Sequence, residues 1–126
     1  MDSILYKAGY KYQLRKTYVV SIPIRPKRYI VSPYIQLTTE GRLHIREGYA
    51  WDGPSGPTID TNNFMRASLV HDALYQLMRE GHVSPRLYRK PADELLRDMC
   101  IEDGMSRIRA SWVYLAVRIA AKPFAD

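Results

Sequence analysis

At 126 residues, with 46% hydrophobic and 25% charged residues, the chain has the size and composition of one ordinary globular domain. A single cysteine, Cys100, excludes an intrachain disulfide framework and a cysteine zinc cluster, and suits a reducing compartment or a virion. No stretch approaches the ~18 consecutive apolar residues of a membrane span. The opening Met1–Lys7 has no long apolar run, so no signal peptide is expected.

The net charge of +6 is unevenly spread. Residues 1–46 carry nine Lys/Arg against Asp2 and Glu40, a net of +7, and the remainder carries a net of −1. A basic half attracts acidic partners, nucleic acid or an anionic membrane surface; scattered single charges are equally the solvated face of strands.

Lys11 to Arg15 alternates polar and apolar residues, as a half-buried strand does. Thr17–Ile22 is β-branched and reads as a second strand. Pro23, Pro26 and Pro33 bracket a loop or edge segment, because proline cannot donate to a sheet ladder. Tyr34–Thr39 and Arg42–Arg46 flank Glu40-Gly41 and form a hairpin. Leu43 and Ile45 share one face of its second strand; Arg42, His44 and Arg46 share the other, which makes His44 an exposed strand histidine.

Gly48 to Pro57, with three further Gly/Pro residues at Gly53, Pro54 and Gly56, reads as an ordered, irregular loop of the kind where binding groups concentrate. Thr61-Asn62-Asn63 offers caps for a helix. Phe64, Ala67, Ser68, His71, Leu74, Tyr75 and Met78 recur along one face of it, and Gly81 closes it. Asp72 is offset from His71 by ~100°. His82–Tyr88 reads as a linker, and a second helix starts near Pro91. Its stripe is Ala92, Leu95, Leu96, Met99 and Cys100, with Asp93 at the edge and Gly104 at the end. A third helix runs from about Ser106 to Ala121, with Trp112, Leu115, Ala116 and Ile119 facing inward and Pro123 beyond it. The expected fold is therefore α+β: N-terminal antiparallel strands or hairpins, then a three-helix unit. As one domain it divides into a β-rich basic part (1–47), a Gly/Pro loop (48–63) and a helical part (64–121).

Three polar clusters stand out against this pattern: Trp51–Ser55, His71–Tyr75 and Arg89–Asp93. An adjacent His-Asp pair on an apolar helix needs partners, because buried ionisable groups are costly alone. A histidine held by a carboxylate is a general base. Two antiparallel helices bring Asp93 to His71, and Tyr75, one turn after His71, can reach the same carboxylate. Asp72, with Asp52 and loop carbonyls, can ligate a hard cation. Arg89 and Lys90 are candidate contacts for an anionic head group or phosphate. Ser55 lacks a nucleophile elbow around it.

The segment His71-Asp72-Ala73-Leu74-Tyr75, with the upstream Asp52-Gly53-Pro54-Ser55 loop and the downstream Arg89–Asp93, is similar to the bacterial branch of secreted phospholipase A₂ over about residues 48–104. That resemblance implies His71 as base, Asp93 and Tyr75 as its support, and Asp72, Asp52 and the Gly53 backbone as ligands for Ca²⁺. Ser55, Arg89 and Lys90 are the candidate substrate-binding residues. Phospholipases of that kind are disulfide-bonded and secreted, and this chain has one cysteine.

Over nearly its full length the chain resembles a short family of uncharacterised bacteriophage and prophage proteins. The matching residues are the loop from Gly48 to Pro57, the His71–Tyr75 helix, Arg89–Asp93, and Val117-Arg118. That resemblance implies a phage context, the host cytoplasm or the virion, with other virion proteins as partners; the phospholipase resemblance adds phospholipid, and the basic half a membrane surface.

The leading expectation is a divalent-cation-dependent hydrolase with a phospholipase-like site. The alternative is a non-enzymatic virion or accessory protein in which the His/Asp/Tyr cluster is a structural network. Nucleic-acid binding through residues 7–46 lacks a recognised motif. An HD-type phosphohydrolase lacks the further histidines it needs, since His44 and His82 are poorly placed.

Overall fold

The computed structural model describes residues 12–51 and 62–120, arranged as antiparallel strands followed by three packed helices. The chain divides into two compact units at about residue 53. The loop residues Asp52, Gly53 and Ser55, and the cap Thr61, lie outside the described residues.

In the first unit, β2 (Tyr18–Ser21), β3 (Ile30–Val31), β4 (Ile35–Leu37) and β5 (Arg42–Ile45) form an antiparallel sheet in the order β2-β5-β4-β3. β1 (Tyr12–Gln13) pairs with β6 (Ala50–Trp51) as a separate ribbon. The expected hairpin is β4–β5, with Leu37 opposite Leu43 and Ile35 opposite Ile45. These four side chains are fully buried, whereas Arg42 is exposed and His44 half-buried, so the period-two reading of the faces holds. Gly41 closes the turn at φ +90°, where a side chain is strained, and a Cβ added there would clash with the Ile22 carbonyl oxygen.

The proline-bracketed segment, expected as loop or edge, contributes the edge strand β3, whose Val31 is exposed. One detail differs from the sequence reading. Ala50–Trp51, expected as irregular loop, is strand: Trp51 lies opposite Tyr12, with ring centroids 5.5 Å apart, and this aromatic pair steadies a two-residue ribbon.

In the second unit, α1 (Asn62–Arg79) and α3 (Arg107–Ala120) both pack against α2 (Pro85–Glu102). The inward face expected for α1 is buried, but so are Met65, Leu69, Val70, Ala73 and Leu77. A helix apolar on nearly every side belongs in the interior. α1 and α2 each end with a glycine at positive φ, Gly81 and Gly104. The amides of Gly81 and His82 bond the Met78 and Leu77 carbonyls; those of Gly104 and Met105 bond Ile101 and Cys100. Both ends are Schellman motifs, which is why both helices stop where they do.

α2 starts six residues earlier than expected. Pro85, not Pro91, takes the first turn behind an extended Ser84, so residues 85–88 are helix rather than linker and Pro91 lies inside. Both prolines suit a helix start; the one with an extended residue before it is the start.

α3 begins after Ser106, whose Oγ accepts the Arg109 amide at 3.2 Å. Its expected inward face is corrected. Trp112 is 67% exposed, Ile119 64% and Leu115 48%, and Ala116 is exposed too. Ala110 and Val113 are buried instead, with Tyr114, Val117 and Arg118 half-buried on the same side.

Candidate functional site

Asp93 is the centre of the helical unit's polar cluster, and it is wholly buried. α2 carries it inside the stripe of Ala92, Leu95, Leu96, Met99 and Cys100, all buried as expected. A bare carboxylate there would be prohibitive. Three donors from two other helices meet it. His71 Nε2 stands 2.7 Å from Oδ1, the Tyr75 hydroxyl donates to the same oxygen at 2.7 Å, and Arg118 Nη1 donates to Oδ2 at 2.9 Å. His71 and Tyr75 lie one turn apart on α1, so one face of that helix presents both. Their rings lie 4.3 Å apart, centroid to centroid.

Burial pushes the Asp93 carboxyl up, but hydrogen bonds from His71, Tyr75 and Arg118 outweigh it and hold the pKa below its ordinary value. Asp93 is therefore an ionised acceptor. Tyr75 moves the other way: burial, and then its bond to Asp93, push its hydroxyl well above the ordinary range, so it remains a donor.

An ionised Asp93 fixes the tautomer of His71. A carboxylate only accepts, so Nε2 carries the hydrogen and Nδ1 of the neutral ring holds the lone pair. Nδ1 lies 4.0 Å from Asp72 Oδ1, and the His71 side chain retains 11% of its accessibility against 37% for Asp72. The arrangement is a carboxylate-oriented imidazole with a basic nitrogen beside a second, more exposed carboxylate. Chemically it can take a proton from water.

The sequence-predicted trio His71, Tyr75 and Asp93 is thus brought together, and Asp72 stands next to it. Arg89 lies one turn before Asp93 on α2, and its charge bears on Tyr75. Its Nη1 is buried with no hydrogen-bond partner among the described residues. Lys90 is exposed. Asp52, Gly53 and Ser55 lie outside the described residues. Among the described residues, no group of three or more His, Cys, Asp or Glu side chains is placed to hold a metal ion.

Arg118 was not among the residues expected at the cluster. An arginine near a helix C-terminus ordinarily complements the dipole in solvent, so only its place in the Val117-Arg118 pair marked it. A second ion-pair group also escaped the sequence reading. Arg66 near the start of α1 donates to both Asp103 oxygens, at 2.9 and 2.8 Å, and pairs with Glu102 at the end of α2. It ties the start of one helix to the end of the next. Cys100, buried and near Asp103, has its thiol pKa pushed up to about 12, so it is a core residue and not a nucleophile.

No curated protein and no solved structure matches the chain. A family match covers residues 29–117, spanning the main sheet from β3 onward and the His71–Tyr75–Asp93 cluster, and stopping one residue short of Arg118. The chain belongs to the family described as a protein of unknown function, DUF1353.

Proposed function

We propose that the protein is a phage-encoded, divalent-cation-dependent hydrolase of carboxylic esters, with phospholipid esters as the leading substrate. The observation that carries the reading is the geometry around His71. Its Nε2 is committed to a buried carboxylate that also receives Tyr75 and Arg118, which leaves Nδ1 as the base. In the reaction, Nδ1 takes a proton from water as the water oxygen bonds to the ester carbonyl carbon. The carbon–oxygen bond to the leaving group then breaks, and the imidazolium returns its proton to the departing alkoxide. Asp93 balances the charge that develops on the ring, and Tyr75 and Arg118 hold Asp93.

The Asp72 carboxylate is a hard oxygen donor, half-exposed next to Nδ1, and suits Ca²⁺. A bound cation would supply Lewis-acid polarisation of the carbonyl, with Asp72 as its donor from the helical unit. Arg89, with a buried guanidinium nitrogen that has no partner among the described residues, is the proposed contact for the substrate's anionic group, with the exposed Lys90 next to it in the chain. The site of action would be the host cytoplasm or the virion, on a membrane surface.

The test pairs activity with folding. In calcium, the protein should hydrolyse anionic phospholipid vesicles, and His71→Ala should lose about 100-fold or more of the rate while keeping its circular dichroism spectrum. Asp72→Asn should abolish calcium binding in calorimetry.

One observation favours a second reading. Asp93 collects donors from α1 and α3 onto α2, so the same cluster clamps all three helices. A non-enzymatic virion or accessory role then predicts no hydrolysis, no calcium heat, and a lowered melting temperature in His71→Ala.

A further inference from the structure

The β unit contains a cavity of about 240 Å³ that the hydrolase reading does not use. It lies on the outer face of the sheet, where Gln36 and His44 are cross-strand neighbours, and is walled further by Thr17, Ser32, Tyr34 and Arg46. Several of the polar groups there are left with a hydrogen to donate. The Gln36 amide oxygen accepts from the Tyr29 hydroxyl at 3.1 Å, which leaves the Gln36 NH₂ to donate. Thr17 Oγ1 accepts the Glu47 amide at 3.2 Å, which leaves its O–H. The Arg46 guanidinium only donates. Ser32 Oγ is covered and has no hydrogen-bond partner among the described residues. Buried polar atoms are rarely left so, and a ligand oxygen would satisfy it.

Among the described residues no carboxylate lines the cavity. Its wall is therefore rich in donors, from Thr17, Ser32, Gln36 and Arg46, with the ring of His44 beside them, in the half of the chain with a net of +7. That chemistry selects an oxyanion able to accept several hydrogen bonds at once. The volume is below that of a drug-sized site, so the occupant is small. The Tyr34 ring offers an apolar surface for the organic part. We propose that this cavity binds the phosphate group of a small phosphate monoester, independently of the His71 site.

The experiment is calorimetric titration of the full chain with inorganic phosphate and with glycerol phosphate, alongside amide chemical shifts. The expected result is saturable one-to-one binding, weakened at least tenfold by Arg46→Gln and unchanged by Arg28→Gln, which removes the same charge from the same unit outside the cavity. In the unsubstituted chain, phosphate should shift the Gln36 side-chain amide and the Ser32 amide. The proposal is overturned if binding does not saturate, if the two arginine variants weaken it equally, or if the shifts fall only on the helical unit. Binding of a short single-stranded oligonucleotide with no monoester binding would also overturn it, and would assign the basic face to nucleic acid.

Discussion

Asp93 decides how the helical unit responds to acid. Its native pKa lies below the ordinary value of 3.8, so the unfolded chain holds that proton more tightly than the native one. The stability it contributes is complete above 3.8 and drains away as pH falls through the lower native value. Asp93→Asn removes the charge but keeps the shape. It leaves Arg118 facing an amide, and breaking one side of a buried pair costs about 3 kcal/mol at neutral pH. Thermal melts from pH 7 to pH 2 should therefore show a lower plateau for Asp93→Asn and a flatter acid limb than the parent protein. An acid limb of equal slope in both proteins would mean that Asp93 is not ionised in the native state. Of this cluster, His71, Tyr75 and Asp93 were legible in the sequence because a one-turn spacing and an apolar stripe put them on facing helix surfaces. Arg118 was not, because a long cationic side chain reads as solvated wherever it falls, and only the position of its helix reveals that it reaches inward.

The helix ends and the hairpin turn set the registers that bring these residues together, and glycine does different work in each. Gly104 stands at φ +106° in a Schellman motif, and a Cβ there would touch nothing within 4 Å. Gly41 stands at φ +90° with a Cβ position blocked by the Ile22 carbonyl. Gly104→Ala should then cost only the left-handed backbone penalty, about 1 kcal/mol. Gly41→Ala should cost about 3 kcal/mol or more, because the backbone of two segments must move. Urea titrations of the two variants measure the difference, and equal losses would mean that the turn at Gly41 relaxes freely. Element by element, the strands and the α2 stripe were readable because burial followed a single period. The face of α3 was not, because its sequence offers two apolar stripes. Packing took the one with small residues, Ala110 and Val113, which lets α3 approach closely enough for Arg118 to bond Asp93. The bulkier stripe was left outside.

On the proposed function, that outer stripe bears on how the molecule would meet a substrate in a membrane. Ile108, Trp112, Leu115 and Ile119 are all exposed, at spacings of four, three and four residues, so they lie along one side of α3. Besides Arg118, which is turned inward to Asp93, the helix carries Arg107 and Arg109 and no acidic residue. An apolar edge with a tryptophan on a basic helix is the composition of a segment that lies in the plane of a membrane interface, and the arginines favour an anionic leaflet. A second copy of the same helix would bring like charges together. No helix among the described residues is long and apolar enough to cross a membrane, so on this reading α3 rests on the surface. The chain has two tryptophans, and Trp51 is buried, which makes Trp112 the reporter. Vesicles containing phosphatidylserine should shift its emission to the blue, while neutral vesicles should do so weakly and salt should reverse the effect. Trp112→Ser should weaken vesicle partition about tenfold or more, since a large side chain loses about 2 kcal/mol of burial, and should leave hydrolysis of a soluble ester intact. If vesicles leave the emission unchanged while the protein dimerises with rising concentration, the stripe is an interface between copies, and the lipid reading of the site loses its surface.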